Sequence, residues 1–292
     1  MKILLVTSGG DAPGINRFIY ELHKRFRGQI FFAYAGFEGL VNNKIYPLEN
    51  VMVKSLRNCA GAVIKSSRCP EFKQTKFFNI GLQNAKNFDV VVILGGNGSE
   101  KGAKRLFENG VNTLFVPVTI DNDVEDCAYS IGFSSAVNAG VLTVQNSMPS
   151  IETMNTACIF EVMGRSCDAI ARAVAKRAEA DACVGNEKEL NVENLTKLVS
   201  ENHQKDEGTC IIMRENIVDI NKLADEMNKN LGQNIVKTQV VGRIQRGGTP
   251  TKEELDMAKK FAKQTAKCIK SHVYGKRVLA DENYEIKVVD FK

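Results

Sequence analysis

Short apolar runs, each ending abruptly in a glycine-rich or carboxylate-rich turn, dominate the first half of the chain. Residues 3–7 form one such run; it ends in Ser8-Gly9-Gly10-Asp11-Ala12-Pro13-Gly14, and apolar positions then recur at helical spacing through residues 15–26. The same order of strand, glycine turn and helix returns at residues 90–94, Gly95-Gly96-Asn97-Gly98-Ser99 and residues 100–107. A third run, 114–118, empties into Thr119-Ile120-Asp121-Asn122-Asp123. Strands that alternate with helices predict a parallel, doubly wound α/β sheet, whose ligands sit beyond the carboxyl ends of its strands. The three polar loops are therefore expected on one rim.

Beyond Gly132 the pattern predicts a helix over 136–153, a strand over 157–162, helices near 167–180 and 191–202, and strands over 209–213 and 238–241. This reads as a second α/β lobe, with mainly parallel sheets expected in both. The expected division is 1–132 with 246–285 for one lobe and 133–245 with 286–292 for the other. A segment over 252–272 has an apolar face of Met257, Phe261 and Ile269 and reads as a docking helix.

Composition narrows the partners. The chain has 292 residues, more than one core usually serves, which also favours two lobes. Its +5 charge is spread among interleaved acids, which favours anionic small molecules over nucleic acid; with no Trp, only Tyr and Phe could stack on bases. The eight cysteines never form a CxxC pair and read as reduced, mostly buried thiols. The opening apolar run is too short for a signal segment, and no later run approaches the roughly 18 residues of a membrane span. A cytoplasmic protein without a membrane partner is expected.

Each motif has a chemical reading beside a plain structural one. Gly9-Gly10-Asp11 and Gly95-Gly96-Asn97-Gly98-Ser99 offer bare backbone amides at helix starts, suited to phosphate; strand-to-helix turns also use glycine for its backbone freedom alone. Asp121 and Asp123 beside Thr119 suit a proton-accepting base with a partner for Mg²⁺, although Asp and Asn also stabilise ordinary turns. Met163-Gly164-Arg165 and Gly242-Arg243-Ile244-Gln245-Arg246-Gly247-Gly248 set arginine forks among glycines, a phosphate-binding pattern that solvated arginine pairs also produce.

Taken with Gly61 to Phe72, which holds Ser67-Arg68-Cys69-Pro70-Glu71-Phe72, and with Ile131-Gly132-Phe133, these blocks in this order resemble the phosphofructokinase A family from residue 1 to about 290. The resemblance implies a phosphofructokinase-like fold and transfer of a phosphoryl group from ATP to the 1-hydroxyl of fructose 6-phosphate in glycolysis, with Mg²⁺. It casts Asp121 as the base, flanked by Thr119 and Asp123. Gly10, Arg68, Cys69, Asn97, Gly98, Ser99 and Gly102 would surround the nucleotide, and Arg165 would steady the transferring group. Met163, Gly164, Glu215, Lys237, Arg243 and Arg246 would join Thr119, Asp121 and Asp123 around the sugar phosphate, and Asn97 and Asp123 would stand nearest the metal. A homotetramer with active sites shared between subunits is also implied.

Several positions depart from the family pattern. Asn97 stands where a metal-binding Asp is usual, Arg243 where a His is usual, and Lys237 and Thr156 where arginines from a neighbouring subunit are usual. Tyr20, Asn50, Met148 and Asp206 replace basic effector-site residues and leave Lys24 among few cations, so the usual effector control is expected to be lost. Gly98 and Val118 lack the acidic residue and the Lys of pyrophosphate-using relatives, which favours ATP. Two other readings stay open: a non-catalytic member that binds both ligands, and an enzyme with pyrophosphate or another phosphosugar.

Overall fold

In a computed structural model that describes residues 1–292, the chain forms two compact units: Met1–Ser134 with Arg246–Lys292, and Ser135–Gln245. The first holds strands β1 (Lys2–Ser8), β2 (Gln29–Ala33), β3 (Ile45–Pro47), β4 (Val90–Gly95), β5 (Thr113–Pro117), β10 (Lys276–Ala280) and β11 (Ile286–Asp290). The second holds β6 (Ala157–Val162), β7 (Ala182–Val184), β8 (Thr209–Arg214) and β9 (Val236–Val240).

The seven-stranded sheet has the order β11-β10-β5-β4-β1-β2-β3 and is parallel except for β3 and β11, which close its two edges. Residues Ile3–Val6 and Val90–Ile93 are fully shielded, because helices cover both faces of the sheet. From β1 the chain steps one way to β2 and later returns on the other side to β4, so the strand order reverses between β1 and β4. A doubly wound sheet opens its ligand crevice at such a reversal, and both glycine loops leave from it.

The four-stranded sheet, β7-β8-β6-β9, is parallel throughout. Its order reverses between β6 and β9, the strands that feed Met163-Gly164-Arg165 and Gly242-Arg243. Each sheet thus presents its expected phosphate loops at its own reversal. No helix is long and apolar enough to cross a membrane.

Two readings are corrected. Residues 286–292, expected in the second lobe, belong to the first unit: β11 pairs antiparallel with β10, and Val289 and Phe291 pack on the first core. The ninth strand starts two residues earlier than expected, because on this edge strand the exposed Lys237 follows the buried Val236 and breaks the apolar run there. The docking helix forms as Lys252–Lys270, capped by Thr251 and packed on the helix Ile15–Arg25.

Candidate functional site

The loop after β1 is held from the side. Gly9 (φ +107°) donates its N–H to the Ser67 carbonyl at 3.0 Å, and Ser66 Oγ donates to Gly9 O at 3.1 Å. This lays the segment along the end of β1 and brings Arg68 and Cys69 to the rim. Burial pushes the Cys69 thiol up, so it stays protonated. A Cβ on Gly10 would come within 2.6 Å of Arg246 Nη1, and that guanidinium donates to the Asp11 carbonyl at 3.2 Å. Arg246, expected around the sugar phosphate, therefore lies over the first glycine loop.

The loop after β4 runs straight into the helix Asn97–Glu108, whose first-turn amides and positive dipole end favour an anion. A Cβ on Gly95 would meet Ser8 O at 2.4 Å, and Ser99 Oγ donates to that same carbonyl at 3.0 Å, so these two residues lock β4 to β1. Ser99 thus spends its hydroxyl on the scaffold. Gly102 is likewise buried, with Phe37 only 2.7 Å from where a Cβ would stand. Of the second loop's residues, Asn97 and Gly98 are the exposed ones, and a Cβ on Gly98 would meet nothing within 4 Å.

The loop after β5 folds back on itself. Thr119 N–H donates to Ile131 O at 3.1 Å, and the Asp121 amide donates to Thr119 Oγ1 at 3.2 Å. Asn122 takes a left-handed conformation (φ +53°), which asparagine tolerates. Its side chain donates to Ala128 O at 3.1 Å and accepts from the Ser130 amide at 2.7 Å. Asp121 and Asp123 are thereby held two residues apart with half-buried side chains. Asn97 reaches this loop: its Nδ2 donates to Asp123 Oδ2 at 3.0 Å and to Asp123 O at 3.1 Å. The two expected metal neighbours do meet, but with the amide nitrogen rather than its oxygen facing the carboxylate.

In the second unit, Gly164 (φ +152°) and Arg165 (φ +57°) form a tight turn after β6. A non-glycine residue at positive φ persists only where its surroundings hold it there. Glu215 Oε1 accepts from the amides of both Gly164 (3.2 Å) and Arg165 (2.9 Å), so this carboxylate shapes the turn and leaves the exposed Arg165 side chain free to serve a ligand. Arg214, buried, donates to the carbonyls of Gly185 and Arg165 and pairs with Glu187 at 2.9 Å. Gln245, fully buried, accepts from Met163 N at 2.8 Å and donates to Ala136 O at 3.1 Å. Sequence reasoning missed both roles, and also Glu161 in β6, whose carboxyl is pushed up by burial and then by Glu215 and Asp219.

Arg243, exposed after Gly242 (φ +62°), stands at the same end of this sheet as Arg165. Thr156 and Lys237 do not: they sit at the amino-terminal ends of β6 and β9, about 20 Å and about 10 Å from the rim at ~3.3 Å per strand residue. Lys237 Nζ is turned to Asn234 there.

The sequence model of the family described as Phosphofructokinase matches residues 2–269. The chain belongs to the phosphofructokinase family. It is 34% identical to an ATP-dependent 6-phosphofructokinase of Spiroplasma citri, over 86% of this chain and 78% of that protein. It is 31% identical to ATP-dependent 6-phosphofructokinase 1 of Clostridium perfringens, over 94% and 87%. The fold of a phosphofructokinase from Saccharomyces cerevisiae superposes with a TM-score of 0.88 at 23% identity, over 99% of this chain; the chain spans only 44% of the yeast one. A pyrophosphate-dependent phosphofructokinase from Nitrosospira multiformis superposes with a TM-score of 0.86 at 16% identity, over 99% of this chain and 82% of that one. The fold is thus shared with a pyrophosphate-dependent protein at low identity, while the relatives above 30% identity are named ATP-dependent.

Proposed function

We propose that this chain transfers a phosphoryl group from ATP to the 1-hydroxyl of fructose 6-phosphate, as a glycolytic enzyme of the cytoplasm. The supporting observation is that the adjacent strands β1, β4 and β5 deliver two phosphate loops and the Asp121 loop to one end of one sheet. Phosphoryl transfer needs little covalent chemistry from a protein and much positioning. Asp121 accepts the proton of the attacking hydroxyl. The amides of Asn97 and Gly98, with Gly10, Arg68 and the overlying Arg246, hold the donor phosphates. Arg165 neutralises charge on the group in transit, and Met163, Gly164 and Arg243 receive the sugar phosphate, with Glu215 fixing their turn.

The open space over Gly98 suits a donor larger than pyrophosphate. A divalent ion also fits: Asn97 engages Asp123 Oδ2, which leaves Oδ1 for a cation, and Mg²⁺ characteristically takes one or two carboxylates plus substrate phosphates. Bound there, Mg²⁺ neutralises negative charge on the donor's phosphate oxygens.

A coupled assay of the purified chain with ATP or pyrophosphate against fructose 6-phosphate decides the reading. Turnover with ATP is expected; turnover with pyrophosphate alone would overturn the donor assignment. Binding of both ligands without turnover would favour the non-catalytic reading, for which the amide at Asn97 is the specific observation.

Because Thr156 and Lys237 lie at the far end of their own sheet, they can serve a sugar phosphate only in a neighbouring copy, which supports an oligomer, a homotetramer in our reading. We expect Arg243→His to raise the KM for fructose 6-phosphate by about ten-fold, the cost of one charged phosphate contact. Adding Thr156→Arg should recover most of that loss, as coupling between residues on one ligand requires. Strictly additive effects in steady-state kinetics of the four forms would remove both the compensation and the shared site.

A further inference from the structure

Outside the expected site, the least accommodating residue to bury is Arg277. Its side chain is 1% exposed, in a strand whose next three residues, Val278, Leu279 and Ala280, are wholly buried and apolar. A buried guanidinium is costly unless every donor has a partner, and an apolar side chain of similar volume is often as stable. Two separate segments face the fork of Arg277. Nε stands 2.9 Å from Glu100 Oε1 as an ion pair without a hydrogen bond, and Nη2 donates to Glu100 Oε2 at 3.4 Å, in the first turn of the helix Asn97–Glu108. Nη2 donates to the Glu125 carbonyl at 2.6 Å and Nη1 to Asp126 at 3.4 Å, both in the stretch that follows Asp123.

The same stretch is gripped twice more. The Ala128 amide donates to Ala280 O at 2.9 Å, and Lys292 pairs with Glu125 at 2.7 Å and Asp126 at 2.6 Å. Three acids, Glu100, Glu125 and Asp126, thus face two cations, Arg277 and Lys292. Burial pushes the Glu100 carboxyl up, and Arg277 pulls it back toward the ionised form. Both cations lie beyond residue 269, where the match to the family ends.

We propose that Arg277 is a positioning residue that binds the helix carrying Asn97 and Gly98 to the loop carrying Asp121 and Asp123, so that donor site and base move as one body. The idea rests on the proposed function for its consequence in turnover, but not for the physical coupling. Lys292 acts as the outer member of the same clasp.

The test is amide hydrogen exchange and kinetics on Arg277→Met, which keeps the volume and removes the fork. Exchange should rise together in residues 97–104 and 121–130, by about ten-fold or more, while amides of β1 and β4 keep their protection. The kcat should fall by about ten-fold, with the KM for fructose 6-phosphate within two-fold, and Arg277→Lys should restore part of both losses. A change in only one of the two segments would overturn the proposal. So would loosening across the whole sheet, which is what a purely structural role produces. Should Arg277→Met fail to fold, Glu100→Gln carries the test: it touches only the helix side, so loosened exchange in 121–130 is expected and an unchanged loop would sink the idea. A wild-type chain that turns over neither donor would defeat the proposed function, yet the exchange comparison would still decide the coupling.

Discussion

Asp121→Ala is expected to lower kcat by about 10²–10⁴-fold, the usual contribution of a positioned general base, while affinity for fructose 6-phosphate stays within a few-fold. The separation follows from where the loop takes its shape. Asn122, Ser130 and Thr119 supply the hydrogen bonds that fold residues 119–131, and Asp121 enters that network through its backbone amide, on Thr119 Oγ1 at 3.2 Å. None of these four bonds uses the carboxylate, so its removal leaves them in place and subtracts chemistry. Steady-state kinetics and calorimetric binding of fructose 6-phosphate give the two numbers. A variant that kept more than about a tenth of wild-type kcat would show that Asp121 is not the base.

Asn97→Asp is expected to reduce the Mg²⁺ concentration needed for half-maximal rate and to raise kcat, by up to the roughly 10²-fold or more that one preorganised electrostatic group supplies. In the wild type, Asn97 donates to Asp123 Oδ2 at 3.0 Å. Substitution would replace that donor with a second carboxylate facing the first. Without a cation the like charges repel, and the carboxyl pKa values rise in the folded state. A raised carboxyl contributes its stability below the unfolded value of about 4 and loses it as pH climbs through the folded value. The metal-free variant should therefore melt below the wild type at neutral pH and approach it at acidic pH. Mg²⁺ with nucleotide should close the gap. If the wild type already saturates at low Mg²⁺ and the substitution brings no gain, Asn97 has no part in holding the ion.

Which parts of this were legible in the sequence depended on how local their cause is. The loops after β1, β4 and β5 could be read because a strand buried on both faces must be continuously apolar, and its exit into a helix must break that run with glycine or a carboxylate. Arg214, Gln245 and Arg277 gave no such signal. Each is a single polar residue whose duty is set by partners far along the chain: Gln245 serves Met163, and Arg277 serves Glu100 and Glu125. Pattern at periods of 2 or 3.6 cannot report that. Ser99 and Gly102 show the converse, residues in a phosphate-loop motif that the fold uses to lock strands and seat Phe37. For β11, nothing local in residues 286–292 says which sheet they join; Val289 and Phe291 find their cover in the first core.

The division of the chain into one interrupted unit and one continuous unit also sets an order of assembly. Every strand of the β7-β8-β6-β9 sheet lies within Ser135–Gln245, so that unit holds all its own pieces as soon as it leaves the ribosome. The first unit does not. Until residues 252–280 have emerged, β5 lacks its neighbour β10, and the buried face of the helix Ile15–Arg25, made of Ile15, Phe18, Ile19 and Leu22, lacks the helix Lys252–Lys270 that packs on it. The entropy of closing so long a loop grows only with the logarithm of its length, so the interruption costs the finished protein little. Its burden falls on the nascent chain, which must carry an uncovered apolar surface while the whole second unit is being made, the interval in which such surfaces find wrong partners.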